Sequence, residues 1–147
     1  MKKLKIISGG QTGVDQIALK VAHKLGIETG GIAPKGYRTE TGFNFELRDV
    51  YGLIQHESAE YPPRTEMNIL NSDCTLLFGK TDSLGSKLAI KLAKKHSKHI
   101  FLNPKVSEVH DLIVKGYRVF NIAGNRGSTL SHYDEEMIRK GLTKAFE

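Results

Sequence analysis

The sequence predicts an α/β fold, a three-layer sandwich with a mostly parallel central sheet of about five strands and helices on both faces. Three observations carry that expectation. Short apolar segments of strand character alternate with amphipathic helical segments from end to end. Glycine-rich turns recur where a strand-like segment passes into a helix-like one. The 147 residues, 39% hydrophobic and 26% charged, suit one domain, residues 1–147, long enough to bury a core.

Leu4 to Ile7 reads as the first strand. Ser8-Gly9-Gly10-Gln11-Thr12-Gly13-Val14-Asp15 then leads into a helix over Asp15 to Leu25, where Ile17, Ala18, Val21, Ala22 and Leu25 share one stripe. Gly26 closes it. Ile27 to Ala33 reads as one continuous second strand. Lys35 to Tyr61 has no steady period and is long for a connection, so a functional loop or a small hairpin is expected there. Pro62-Pro63 opens a helix over Arg64 to Ser72, since proline suits a first turn. Strand Cys74 to Phe78, helix Gly85 to Lys95, strand His99 to Leu102, helix Val106 to Val114 and strand Val119 to Ala123 follow. The last helix begins near Tyr133-Asp134-Glu135-Glu136, whose acids complement the positive end of its dipole.

Composition narrows the function. No apolar run is long enough to span a bilayer, and the basic start Met1-Lys2-Lys3 enters a strand rather than the apolar stretch of a signal peptide. The single cysteine, Cys74, leaves no intrachain disulfide to form and fits a reducing cytoplasm. It lies within a strand, where packing is expected rather than nucleophilic chemistry. The net charge of +6 invites nucleic acid, yet Lys87, Lys91, Lys94, Lys95 and Lys98 read as the solvated face of one helix, and 7% aromatics offers little for base stacking. A positive field around an anion site is the more economical use of that charge. His96 and His99 have no carboxylate or cysteine near them in sequence, and no metal site is expected.

The chemistry is expected in the loops. A strand, a glycine-rich turn and a helix N-terminus expose unpaired N–H groups where the macrodipole is positive, which makes a site for phosphate. In a parallel sheet such loops gather on one edge. The candidate ligand-binding residues are Gly9, Gly10, Gln11, Thr12, Gly13 and Asp15 in the first loop, then Lys35 and Arg38, with Arg64 and Thr65 at a helix start. Gly85 and Ser86 follow the third predicted strand, and Gly124, Asn125 and Arg126 the last. Thr12 and Ser86 would add hydroxyl donors; Lys35, Arg38, Arg64 and Arg126 would supply charge. Asp15 would repel a phosphate, so it would face a neutral part of the ligand such as a ribose hydroxyl, or serve as a capping acid. It is also the candidate catalytic residue. The first loop is not a Walker A sequence, lacking Gly-Lys-Ser/Thr, and its glycines miss the G-x-G-x-x-G spacing.

Read in full, the chain resembles the molybdenum-cofactor carrier family, the circularly permuted YpsA-like branch of the SLOG Rossmannoid superfamily. The resemblance rests on Ser8 to Asp15, Gly30-Gly31 through Pro34-Lys35-Gly36-Tyr37-Arg38, Arg64-Thr65-Glu66-Met67-Asn68, Asn71 to Leu76, and Asn121 to Arg126. The opening motif also looks like the Ser-Gly-x-x-x-Gly-Ile-Asp turn of DNA-processing protein A, another SLOG member. The resemblance implies a Rossmann-like homo-oligomer, dimer or tetramer, that holds a phosphorylated small molecule at its glycine loops. Molybdenum cofactor and a nucleotide derivative are the ligands it suggests, with no further cofactor required. Related phosphoribohydrolases use a glutamate and an arginine near a Gly-Gly-x-Gly-Thr loop. Here Thr12-Gly13 stand in the reverse order, Asp15 misses that glutamate's spacing, and Asn125 replaces a proline frequent in carrier-like relatives. A binding protein is therefore expected ahead of two alternatives: hydrolysis of a nucleotide N-glycosidic bond with Asp15 as acid–base residue, and DNA binding by a SLOG protein.

Overall fold

In the computed structural model, which describes residues 3–147, the chain runs β1 (Lys5–Ile7), α1 (Val14–Lys24), β2 (Glu28–Gly30), β3 (Ile32–Ala33), a 3-10 turn (Lys35–Tyr37), β4 (Arg38–Thr39), β5 (Gly42–Phe43), α2 (Glu46–Asp49), β6 (Ile54–Gln55) and α3 (Tyr61–Leu70). It continues through β7 (Cys74–Phe78), α4 (Leu84–Lys95), β8 (His99–Leu102), α5 (Val106–Val114), β9 (Val119–Gly124), a second 3-10 turn (Gly127–Thr129) and α6 (His132–Phe146). The first two residues of the basic start, Met1 and Lys2, lie outside the described residues.

Five strands form one parallel sheet in the order β2-β1-β9-β7-β8. Its register sets Ile6 beside Phe120 and Leu76 beside Ile122, so consecutive strands present large apolar side chains to the same layer. That layer receives α1, α5 and α6. Ala18 and Ala22 of α1, Val109 and Leu112 of α5, and Leu142 and Phe146 of α6 all close on it, and Phe120 meets Phe146 edge to face at 5.2 Å. The opposite face is covered by α3 and α4 through Ile69, Ala89 and Ala93, which pack with Leu77. The predicted three-layer α/β sandwich with a five-stranded parallel sheet is thus what forms, a Rossmann-like arrangement. Cys74 is buried in β7, and burial pushes its thiol up to about 12, which keeps it unreactive.

The expected single strand over Ile27 to Ala33 divides in two. At Gly31 the chain takes φ +125°, and a β-carbon there would stand 2.1 Å from the Ser8 carbonyl oxygen. β3 therefore leaves the main sheet and pairs with β6 in parallel, Ile32 beside Ile54. Asn68 of α3 completes this small pair: its Oδ1 accepts from Ile32 N–H at 2.8 Å and its Nδ2 donates to Ile32 C=O at 2.9 Å. The irregular segment holds a hairpin, β4 with β5, together with α2. Tyr37, Leu47, Tyr51 and Leu53 seat it against Leu19 of α1 in a separate apolar cluster. Helix α3 starts three residues before the expected position, with Pro62 and Pro63 inside its first turn.

One reading of the histidines changes with the tertiary structure. His96 has a carboxylate beside it, Glu66 Oε2 of α3 at 2.9 Å, while His99 Nδ1 lies 2.6 Å from the Tyr117 hydroxyl. Thirty residues of sequence separate His96 from Glu66, so only the packing of α3 on α4 reveals the pair. Among the described residues no three His, Cys, Asp or Glu side chains gather as a metal-binding group.

Candidate functional site

The loops that follow β1, β9 and β7 lie side by side because those strands are neighbours in the sheet. The first and last are in contact. Gly13, at φ +83°, leaves no room for a side chain, since a β-carbon would sit 2.4 Å from the Asn125 carbonyl oxygen. Val14 N–H donates to that same oxygen at 3.2 Å, and Gly127 N–H donates to Thr12 Oγ1 at 3.0 Å. Asn125 also ties in the loop after β7: its Oδ1 accepts from Lys80 N–H at 2.6 Å and its Nδ2 donates to Lys80 C=O at 3.0 Å. Three of the predicted loops thus form one cluster.

Their amides, however, are largely engaged inside the protein. Gly10 N–H donates to Ser8 Oγ, Gln11 N–H to Asp15 Oδ2 and Thr12 N–H to Gln11 Oε1, all within 3.1 Å. The Ser86 hydroxyl donates to Lys80 C=O at 3.0 Å, and the Thr65 hydroxyl to Tyr61 C=O at 3.0 Å. Gly85 stands in open space, and Lys35 is exposed on the 3-10 turn with its N–H donating to Ser58 C=O. Positive charge on this edge therefore comes from side chains more than from backbone N–H groups.

Those side chains meet around Tyr61. The guanidinium carbons of Arg38, Arg64 and Arg126 lie 4.9, 5.5 and 6.0 Å from its ring centroid. Arg64 reaches inward from the first turn of α3 over Gly9, which is without a side chain where a β-carbon would fall 1.8 Å from Arg64 Nη1. There it approaches Asp15 of α1, Nη1 to Oδ2 at 3.5 Å. That separation is long for a charge-assisted hydrogen bond, which prefers about 2.7–2.9 Å, and Arg64 Nε is buried with no hydrogen-bond partner. Asp15 is only 3% exposed. Burial pushes its carboxyl up to about 6, against the lowering influences of Arg64 and of the Gln11 N–H. Burial likewise lowers the Arg64 pKa, with Asp15 opposing and Arg126 adding to the shift.

Glu40, in the turn of the β4–β5 hairpin, closes the other side of the cluster. Its carboxylate accepts from the Thr12 hydroxyl, from Ser128 N–H at 2.9 Å and from the Ser128 hydroxyl at 2.7 Å, while its own N–H donates to Gln11 Oε1 at 2.9 Å. Desolvation alone would raise its pKa; the Thr12 and Ser128 hydrogen bonds and the Arg126 charge outweigh it and leave it below the ordinary value. Beside this clasp lies a cavity of about 500 Å³ lined by Thr12, Gln16, Lys20, Glu40, Ser128 and Glu135 among others. Tyr61 and Glu40 are the residues that sequence reasoning missed. An aromatic directly before Pro62-Pro63 could have flagged Tyr61; nothing local could have flagged Glu40.

A parallel sheet whose loop edge gathers three arginines, a buried aspartate and three glycine-bearing turns belongs to the Rossmann-like α/β class. Residues 6–143 match the circularly permutated YpsA SLOG family, and the chain belongs to it. A solved structure of a protein from Syntrophus aciditrophicus SB, named provisionally as a molybdenum carrier protein, is similar at a TM-score of 0.77 and 32% identity, covering 97% of this chain and 92% of that one. No curated protein matches the chain.

Proposed function

We propose that the protein binds a phosphorylated small molecule, molybdenum cofactor or a nucleotide derivative, in the cytoplasm at the loop edge of its sheet. The observation that carries this reading is the convergence of Arg38, Arg64 and Arg126 on Tyr61. Three like charges around one ring repel one another, and an oxyanion among them relieves the repulsion while an aromatic face receives a ring of the ligand. Arg64, loosely paired and short of one partner, is the group with most to gain from such an anion. The molybdenum carrier described for the Syntrophus relative supports the choice of ligand.

The test is a thermal-shift and calorimetric series on the intact chain with nucleoside monophosphates, a pterin phosphate and molybdate, with mass spectrometry of whatever copurifies. Stabilisation by one of them, lost in Arg126→Ala, is the expected result; no shift with any member, together with no copurifying compound, refutes it. Arg126 is exposed and serves no core contact, so its replacement leaves the fold intact.

A second reading is favoured by one observation, the carboxyl of Asp15 titrating near 6 beside an arginine. Protonated, Asp15 would give its proton to the leaving base as the glycosidic C–N bond breaks, and its carboxylate would then take the proton that water loses on adding to the sugar carbon, which is hydrolysis of a nucleotide N-glycosidic bond. Free base released from a nucleoside monophosphate, and its absence with Asp15→Asn, would establish that reading; no free base at any pH between about 5 and 8 would remove it.

A further inference from the structure

Away from the loop edge, the last turns of α1 and α6 enclose a groove of about 400 Å³. Both helices follow parallel strands and run back across the sheet, so this groove lies at the end of the molecule opposite Tyr61 and the loops. Half-buried Leu25 and the aliphatic stems of the lysines give it an apolar lining, with buried Val21 beneath. Around that lining stand Lys20, Lys24, Arg139, Lys140 and Lys144, with Glu147 the one acidic side chain among the lining residues.

Two ordinary explanations account for part of this charge. A cation in the last turn of a helix complements the macrodipole, which covers Lys24 and Lys144. Arg139 pairs with Glu136. Neither explanation covers Lys20, a turn before Lys24; Lys140, a turn before Lys144, lies in the field of Glu136 one turn earlier on α6. Among the described residues no carboxylate lies within ion-pair distance of Lys20, Lys24, Lys140 or Lys144. Lys20 with Lys24, and Lys140 with Lys144, are also like-charge pairs at i,i+4, each unfavourable by a few tenths of a kcal/mol in an isolated helix. A groove with an apolar floor and more cations than carboxylates around it is complementary to one chemistry, an anionic head on an apolar body.

We propose that the α1–α6 groove is a second binding site, for a small amphipathic anion: a carboxylate, sulfonate or phosphate ester with an acyl or aryl body. Its volume falls in the range of small-molecule pockets. The apolar body covers Leu25 and the lysine stems, and Lys24 and Lys140 bracket the head from the two helices. The site shares Lys20 with the cavity beside Glu40, but none of the Tyr61-centred residues, and does not rest on the loop-edge reading.

The probe is 8-anilinonaphthalene-1-sulfonate, titrated by fluorescence into the full chain, with far-UV circular dichroism of each variant as the folding control. Saturable one-to-one binding is expected, weakened about tenfold or more in Lys24→Glu/Lys140→Glu and partly in Lys24→Gln/Lys140→Gln. It should also weaken as salt rises from about 50 to 500 mM and stay unchanged in Arg126→Ala. Decanoate should displace the probe, whereas inorganic phosphate at the same concentration should not. Absence of saturable binding, equal affinity in the charge-reversed variant, or equal displacement by phosphate overturns the proposal.

Discussion

Asp15 bears a stability consequence that can be worked out with its sign. In the unfolded chain its carboxyl titrates near the ordinary aspartate value of 3.8; in the fold, burial moves it to about 6. Between those values the folded state holds the proton that the unfolded state has released. Stability therefore falls as pH rises through that window, by roughly 3 kcal/mol for a shift of about two pH units. Asp15→Asn carries no such slope. Measured by denaturant unfolding, the variant should gain about 2–3 kcal/mol on the wild type between pH 4 and pH 7, from near equality at the acid end. The same ionisation puts negative charge beside Arg64, so affinity for a phosphorylated ligand should decline above about pH 6 in the wild type only. Gly9 acts at this scale too. In Gly9→Ala the new methyl collides with Arg64 Nη1, Cζ and Cδ, a side chain buried beside Asp15, so both stability and ligand affinity are expected to fall as Arg64 is displaced. Calorimetry and thermal unfolding on one sample separate the two effects.

Elements are held in place here by side chains that imitate backbone. Asn68 offers α3 to β3 as though it were another strand, engaging both the N–H and the C=O of Ile32. It is 1% exposed, so its removal leaves two backbone groups without partners and without water. Asn68→Ala should cost about 2–4 kcal/mol, read as a lowered denaturant midpoint with unchanged slope. Glu40 plays the corresponding part for the hairpin, anchoring it to Thr12 and Ser128 on two separate loops. Glu40→Gln keeps the shape and removes the charge that faces Arg126. Its prediction is higher affinity for anions at the loop edge, with faster amide exchange in residues 38–43 as the clasp weakens.

At the scale of the molecule, one sheet buried on both faces ties the helical layers together. Phe120 lies at its centre, fully buried and packed against Phe146 of α6. Phe120→Ala should cost roughly 3–5 kcal/mol, and near- and far-UV signals should move together if the helices and the sheet unfold as one unit. The central strands and the helices between them were readable in the chain because each depends on local order: an apolar run of the right length, a stripe at helical period, a proline or glycine at an end. The break at Gly31 was not, since it follows from the nearness of Ser8, far away in sequence. The arginines could be singled out as charge at loop and helix starts, but their convergence depends on Tyr61, which enters the site only when α3 packs beside β3. The loop glycines were legible as close-approach positions, whereas the partners of the loop amides were not, because hydrogen bonds such as Val14 N–H to Asn125 C=O span more than a hundred residues. Periodicity and turn chemistry are properties of neighbours along the chain, and they were enough to specify the layers and the loops. The burial that lifts the Asp15 pKa, the clasp of Glu40 and the grouping of cations between α1 and α6 are sums over residues that meet only in space, so folding alone produced them.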